Sequence, residues 1–238
     1  MKKFAFIIAA AFTLLSASAH SACVILLHGL AKSDSSMEKL AKAIDAEDFQ
    51  TVNIDYPSTK HSIETLASMA IAPAVEECGN AQEINFVTHS MGGILVRQYL
   101  HSAEIKNLNR VVMLGPPNKG SEVVDKLGTF PGFKFMFGDA GLQLGTGEMS
   151  VPNKLGSADF DVGIIAGTRS INLILSRLIP EADDGKVSVS STKLDGMNDH
   201  LQMPVTHVFM MKDKKVISQV IHYLKHGFFH RAGNQASN

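Results

Sequence analysis

One nine-residue stretch constrains the fold of this chain more than any other part of its sequence. Residues 85–93 read NFVTHSMGG, so a short apolar run ends in T-x-S-x-G and a helical pattern follows directly. This pattern predicts a tight turn between a strand and a helix that holds the serine in strained backbone geometry. The turn requires compact residues two positions before and after the serine; Thr88 replaces the usual glycine, and Gly92 follows the pattern. Ser90 is therefore predicted to lie exposed at the carboxyl end of a central strand.

Apolar runs and amphipathic stretches alternate along the chain. Strands are predicted at 24–27, 51–55, 84–87, 110–114 and 162–166, and helices at 35–45, 63–78, 91–102 and 216–226. The stretch 205–210 is predicted to contain a short strand or the end of one. This alternation predicts an α/β fold with a largely parallel central sheet and helices on both faces. A capping box, Ser35 with Glu38, is predicted to open the first helix, and Pro73 is predicted to kink the second.

Residues 121–159 interrupt this alternation. The segment is rich in glycine and contains a cluster of four phenylalanines and a methionine, namely Phe130, Phe133, Phe135, Met136 and Phe137. A loop of this length in a compact domain is either functional or disordered, and its aromatic content argues against disorder. We predict a small cap or lid over the site, in which Phe135 contacts the substrate. An ordinary surface excursion that packs its own apolar cluster is the alternative.

Composition limits the classes of partner. The chain has 238 residues, 45% of them hydrophobic, and a formal net charge of −1. This length suits one domain, predicted at 20–238, and no internal repeat or second-domain boundary is found. No basic block is present that could neutralise phosphates, so nucleic acid is not an expected partner.

The N-terminus has the pattern of a signal peptide. Lys2 and Lys3 precede an apolar run at 4–15, and residues 17–19 read ASA, an A-x-A cleavage site. The run is too short for a permanent membrane anchor. Residues 1–19 are therefore predicted to be removed from an exported bacterial protein of the periplasm or the medium. Acylation of Cys23 as a lipoprotein is disfavoured, because His20 stands where a lipobox requires leucine.

The two cysteines are predicted to form a structural disulfide. An exported protein meets an oxidising compartment, where a lone pair of cysteines usually bonds. Cys23 begins the first strand, and Cys78 ends the helix before the strand that carries the serine. Those two strands are neighbours in a doubly wound sheet, and both cysteines fall at the end away from the site. Two buried free thiols are the alternative.

The serine hydroxyl requires a base within hydrogen-bond reach and a carboxylate that orients the base. After a serine turn of this kind, the acid and then the histidine follow later in the chain. Asp184 precedes a glycine in the loop after a late strand and is the predicted acid, with Asp183 as a close competitor. His207, shortly before the last helix, is the predicted base and is favoured over His200.

Stabilisation of an oxyanion requires two backbone N–H groups aimed at one point. Met91, directly after the serine, is predicted to supply one. The loop HGLA at 28–31 is predicted to supply the other through Leu30, where Gly29 permits the required backbone. His28 is predicted to brace this loop at the edge of the substrate site.

No metal site or cofactor is predicted. Three histidines recur at intervals of four on the last helix and its end, at His222, His226 and His230. No carboxylate accompanies them and Gly227 is expected to end the helix, so a partly solvated helix face is favoured over metal binding.

The ordered set of motifs resembles that of the α/β-hydrolase superfamily, in particular its bacterial lipase/esterase group. The matching pieces are LHGL at 27–30, THSMGG at 88–93, GPPNKGS at 115–121, Asp184-Gly185-x-Val187, and His207. They extend over nearly the whole mature chain, and the ordered set is far more specific than the serine turn alone.

The resemblance implies an α/β-hydrolase fold and a serine hydrolase that cleaves carboxylic esters without a cofactor. Ser90, His207 and Asp184 would form a catalytic triad that works through an acyl-enzyme, on a small-molecule or lipid ester, with transient contact to a lipid surface as one possibility. An acyltransferase or thioesterase on the same triad is the alternative. A second alternative, from a different functional class, is a binding module of the same fold that has no catalytic activity.

Overall fold

The computed structural model describes residues 22–171, 176, 179 and 181–231. The predicted signal peptide at 1–19 lies outside the described residues. The described strands form one sheet, and their bounds are β1 Ala22–Leu27, β2 Gln50–Ile54, β3 Glu83–His89, β4 Leu108–Leu114, β5 Val162–Gly167 and β6 Asp199–Met203. The sheet order is β2-β1-β3-β4-β5-β6, and every neighbouring pair is parallel.

Helices cover both faces of this sheet, as predicted. Those of the described residues are α1 Glu38–Asp45, α2 Ile63–Glu77, α3 Met91–Ser102, α4 Glu122–Leu127, α5 Phe133–Leu142, α6 Val151–Lys154, α7 Val189–Thr192 and α8 Lys214–His226. Alternate residues of β1 enter two separate cores, since Ile25 packs with α2 and α3, and Leu26 packs with α1 and α8. A strand buried on both faces reads as a continuous apolar run, which is how β1 appears in the sequence.

The predicted disulfide is formed at the amino-terminal edge of the sheet. Cys23 of β1 lies opposite Ile84 of β3, which confirms that the two strands are neighbours. Cys78 follows α2 directly, and the two cysteine Cα atoms lie 5.8 Å apart across the bridge. The bond therefore ties α2 to β1 at the end of the sheet opposite Ser90.

Two local predictions were wrong. The first helix begins at Glu38 after a 3-10 turn at Asp34–Ser36, and its N-cap Met37 makes no side-chain cap, so the predicted capping box does not form. The last strand in the described residues is β6, and residues 205–209 contain no strand, with turns at 207–209 that lead into a 3-10 helix at Met210–Lys212. Pro204 follows β6 directly, and proline cannot donate to a strand ladder.

The interrupting segment at 121–159 contains the short helices α4, α5 and α6 between β4 and β5. α5 is broken at Gly138, where φ is 66°. A Cβ at this glycine would come within 2.0 Å of the Thr59 carbonyl oxygen, so the break is a point of close packing against the loop before α2. None of the helices in the described part of the chain combines the length and apolar character needed to cross a membrane.

Candidate active site

The turn between β3 and α3 holds Ser90 in an uncommon backbone conformation. Its φ is 54° and its ψ is −122°, a region that non-glycine residues adopt only when surrounding structure enforces it. The Ser90 N–H donates to the Leu114 carbonyl over 2.8 Å, and the Gly93 N–H donates to the Ser90 carbonyl over 3.1 Å. A Cβ at Gly92 would lie 2.7 Å from the Leu27 carbonyl oxygen, so α3 can pack against β1 only with glycine at this position.

Thr88 occupies the position where the turn usually has glycine. Its side chain is fully buried, and its hydroxyl has no hydrogen-bond partner among the described residues. A Cβ at Gly93 would approach this hydroxyl to 3.2 Å. The absent side chain of Gly93 thus provides the space that Thr88 requires, which explains how the turn accommodates threonine.

His207 and Asp184 form a buried hydrogen-bonded pair. The His207 Nδ1 and the Asp184 Oδ2 lie 2.7 Å apart, with side chains 3% and 0% exposed. The other carboxylate oxygen of Asp184 accepts the N–H groups of Lys186 and Val187, each over 3.0 Å. Since the Nδ1–H donates to the carboxylate, the Nε2 of His207 is the ring nitrogen free to accept a proton.

The competing candidates lie elsewhere. Asp183 accepts a hydrogen bond from the Ser176 hydroxyl over 2.8 Å and one from the Gly185 N–H over 2.6 Å, so its carboxylate braces the turn. The His200 Nε2 lies 2.9 Å from the Thr192 hydroxyl, and burial lowers the pKa of this histidine. The structure therefore brings Asp184, and not Asp183, to His207.

Ser90 and His207 line one cleft, together with Gly29 and Leu30 of the loop after β1. This cleft is called the serine cleft below. A Cβ at Gly29 would lie 3.1 Å from the Ser90 Cβ, so the loop passes directly beside the serine turn. Met91 is the first residue of α3, and the first N–H groups of a helix lack intrahelical acceptors. The main chain near Leu30 and that of Met91 thus flank Ser90.

His28 lies behind this loop and not at the substrate side, which corrects the prediction that it borders the substrate. Its side chain is fully buried, its Nδ1 donates to the Gly29 carbonyl over 2.9 Å, and its ring stacks on Tyr56 at 4.0 Å. The Tyr56 hydroxyl donates to the His28 carbonyl. Burial lowers the pKa of His28, so its neutral ring braces the loop that carries Leu30.

Phe135 is also not at the substrate side, because its side chain is 93% exposed on the outer face of α5. Residues four apart share one face of a helix, and residues two apart do not. Phe133 and Phe137 occupy the inner face, with ring centroids 4.8 Å apart, and both line the serine cleft. The prediction that Phe135 contacts the substrate was therefore wrong, and the aromatic residues at the cleft are Phe133 and Phe137.

His89 has a structural position that the sequence analysis overlooked. Its Nε2 donates to the His207 carbonyl over 2.9 Å, and the two rings are 4.7 Å apart. Burial and the neighbouring His207 hold the pKa of His89 well below its usual range, so the ring is neutral. The only sequence feature that points to His89 is its position directly before the serine. Its hydrogen-bond partner lies 118 positions away in the chain, so no local pattern predicts the contact.

The three histidines near the C-terminus form a surface cluster. The ring centroid of His222 lies 4.4 Å from that of His226 and 5.6 Å from that of His230. Within the described ranges, no group of three His, Cys, Asp or Glu side chains is arranged to hold a metal ion.

Known proteins share this architecture. The family model of the alpha/beta hydrolase fold matches residues 23–139. No curated protein sequence matches the chain at a significant level. A mature lipase of Bacillus licheniformis superposes with a TM-score of 0.67 at 18% identity, covering 87% of this chain and 91% of that one.

Two further structures are similar. A carboxyl esterase from a metagenome has a TM-score of 0.65 at 16% identity and covers 81% of this chain and 66% of that one. A phospholipase of Legionella pneumophila has a TM-score of 0.54 at 20% identity, and the match covers 72% of this chain but 45% of the phospholipase. The family match, the six-stranded parallel sheet and the serine turn together show that the chain has the α/β-hydrolase fold.

Proposed function

We propose that this protein is a serine hydrolase that cleaves carboxylic esters. One observation carries the proposal: a buried His207–Asp184 pair with a 2.7 Å hydrogen bond lies in the same cleft as a serine held at a φ of 54°. A histidine oriented by a carboxylate is the base that a serine hydroxyl requires to act as a nucleophile at neutral pH.

The first half of the reaction forms an acyl-enzyme. The Ser90 Oγ attacks the ester carbonyl carbon while the Nε2 of His207 takes the hydroxyl proton. Asp184 stabilises the imidazolium, and the amides of Met91 and Leu30 donate to the oxyanion. The C–O bond of the ester then breaks, and the alcohol leaves with the proton from His207.

The second half releases the acid. Water enters the serine cleft, and the Nε2 of His207 removes its proton as the water oxygen attacks the acyl carbon. The bond to the Ser90 Oγ breaks, and the serine regains the proton from His207. No cofactor takes part in either half.

Residues 121–159 act in this proposal as a cap that binds the acyl chain. Six apolar side chains of the segment line the serine cleft, from Val123, Val124, Leu127, Phe133, Phe137 and Leu144. A Cβ at Gly141 would lie 3.3 Å from the Leu30 Cδ2, so the cap also packs on the loop next to the serine. An apolar wall of this kind favours small-molecule or lipid esters as substrates.

Similar proteins support this assignment. The solved structures described above include a lipase, a carboxyl esterase and a phospholipase. Export is part of the proposal, supported by the signal-peptide pattern at 1–19 and by the Cys23–Cys78 bond, since disulfides persist in oxidising compartments.

The test is hydrolysis of 4-nitrophenyl esters from acetyl to palmitoyl by the mature protein, with and without a serine-directed phosphonate. We expect turnover that the phosphonate abolishes, and Ser90→Ala should lower kcat by about 10³-fold or more while the protein still folds. Ser102→Ala, at the exposed end of α3, is the matched control and should keep full activity. Hydrolysis that survives in Ser90→Ala would exclude the serine mechanism.

A further inference from the structure

Two lysines line the serine cleft beside Ser90. Lys32 follows Leu30 by two positions on the loop after β1, and Lys186 follows Asp184 by two positions on the acid loop. Neither ammonium group makes an ion pair within the part of the chain that the structure describes. The cleft thus carries two cations that no carboxylate of the described residues neutralises through direct contact.

The surroundings of Lys186 make its charge costly, whereas Lys32 is exposed. Burial and the nearby charge of Lys32 lower the pKa of Lys186, and Asp184 opposes this shift. The Asp184 carboxylate, however, already accepts three hydrogen bonds, one from His207 and two from backbone N–H groups. A desolvated ammonium without a direct partner is unfavourable, so a bound anion would relieve this cost.

Two parts of the serine cleft differ in chemistry. The cap contributes apolar side chains, including Leu127, Phe133 and Phe137, and the two loops that flank the serine contribute Lys32 and Lys186. A molecule that fills the whole cleft would therefore combine an apolar chain with a negative charge.

We propose that Lys32 and Lys186 form an anion subsite, so that the preferred ester is an amphiphile with a carboxylate or phosphate near its scissile bond. The apolar chain lies along the cap, and the anionic group lies between the two ammonium groups. The preference for an anionic ester rests on the proposed function, because it requires ester hydrolysis. The anion subsite itself is testable by binding alone.

The first experiment measures binding without turnover. Calorimetry with the Ser90→Ala protein compares octyl phosphate, octanoate and octanol, each below its micelle concentration. We expect at least one of the two anions to bind about tenfold more tightly than octanol, because charge-assisted hydrogen bonds strengthen binding by about this factor. Tighter binding of octyl phosphate identifies phosphate as the preferred group, and tighter binding of octanoate identifies carboxylate. Equal affinity for all three compounds would overturn the proposal.

Lysine variants then test the named residues in the same assay. Lys186→Met and Lys32→Met should each remove most of the preference for the anion over octanol, and Lys186→Arg should retain it. Lys106→Met is the matched control, since Lys106 is exposed just before β4, at the opposite edge of the sheet. If Lys186→Met fails to fold, the exposed Lys32 still provides the test. An unchanged preference in both methionine variants would assign the binding to other groups.

Kinetics separate this inference from the proposed function. The ratio of kcat/KM for 1-octanoylglycerol 3-phosphate over 1-octanoylglycerol reports an anion on the alcohol side. The ratio for the mono-4-nitrophenyl ester of hexylmalonate over 4-nitrophenyl octanoate reports an anion on the acyl side, next to the scissile carbonyl. At least one ratio should exceed about ten and fall as salt screens the lysines. Equal rates within both pairs, with phosphonate-sensitive turnover, would overturn the subsite and keep the esterase. Anion binding without any turnover would keep the subsite and overturn the esterase.

Discussion

Asp183 and Asp184 are neighbours in the chain, yet their carboxylates have different partners. Asp184 reaches His207, and Asp183 turns back to the Gly185 N–H and the Ser176 hydroxyl. The two side chains are buried to a similar extent, so burial does not distinguish their functions. The direction of each side chain distinguishes the functions of the two aspartates, and this direction is a consequence of the turn in which both residues lie.

Replacing the two aspartates separately should therefore give different results. Asp184→Asn is expected to lower kcat by about 10³- to 10⁴-fold, because the amide no longer holds His207 in the reactive tautomer. Asp183→Asn should lower kcat by about tenfold at most and act mainly on stability, through the turn it braces. Ester hydrolysis and thermal unfolding of both variants provide the comparison. A larger loss of kcat in Asp183→Asn would reverse the assignment.

At the residue scale, local patterns indicated Ser90, Asp184 and His207. Ser90 stands in a turn motif with its own spacing, and Asp184 stands directly before a turn glycine. The contact of His89 with the His207 carbonyl has no such local signature, because it joins residues 118 positions apart. The meeting of Lys32 with Lys186 in one cleft depends in the same way on tertiary packing.

At the element scale, α5 shows how a helix divides its residues between the serine cleft and solvent. Phe133 and Phe137 line the cleft, and Phe135 is exposed between them. The sequence indicated an aromatic cap segment but not the helical phase, because glycines interrupt the segment and obscure its periodicity. Without the phase, the sequence does not distinguish the aromatic residues that line the cleft from those that face solvent.

The two faces of α5 provide a prediction with an internal control. Phe137→Ala should lower kcat/KM for octanoyl esters relative to acetyl esters by about five- to tenfold, because it removes apolar surface from the acyl-chain wall. Phe135→Ala removes an equally large side chain from the solvent face and should leave this ratio unchanged. The measurement is the chain-length profile of 4-nitrophenyl esters. Equal effects of the two substitutions would contradict a binding function for the inner face.

At the scale of the whole molecule, the candidate active site and the disulfide lie at opposite edges of the parallel sheet. The loops that carry Leu30, Ser90 and Asp184 follow β1, β3 and β5 and so meet at the carboxyl edge of the sheet. The Cys23–Cys78 bond lies at the opposite edge, where β1 begins. A change at one edge can therefore alter the free energy of unfolding without moving the residues at the other.

Removing the disulfide tests this separation. The double substitution Cys23→Ser with Cys78→Ser should lower the free energy of unfolding by about 2–4 kcal/mol, because the bond no longer closes a loop in the unfolded chain. The kcat at low temperature should stay within about twofold of the wild type, since the serine cleft is at the far edge. Urea unfolding and ester hydrolysis of the same preparation provide both values. A large loss of kcat in protein that is still folded would show that the two edges are coupled.

The sequence by itself determined the alternation of strands and helices, the turn at Ser90 and the pairing of Cys23 with Cys78. The first two features depend on residues that are neighbours in the chain. The pairing follows because the chain has two cysteines, so each has one possible partner. Local patterns failed where two local preferences competed, as in the start of α1 and in the turns after β6. Only the tertiary structure decided which aspartate meets His207, which face of α5 lines the cleft and that two lysines stand beside the serine. These outcomes depend on side-chain directions that form when segments far apart in the chain pack together.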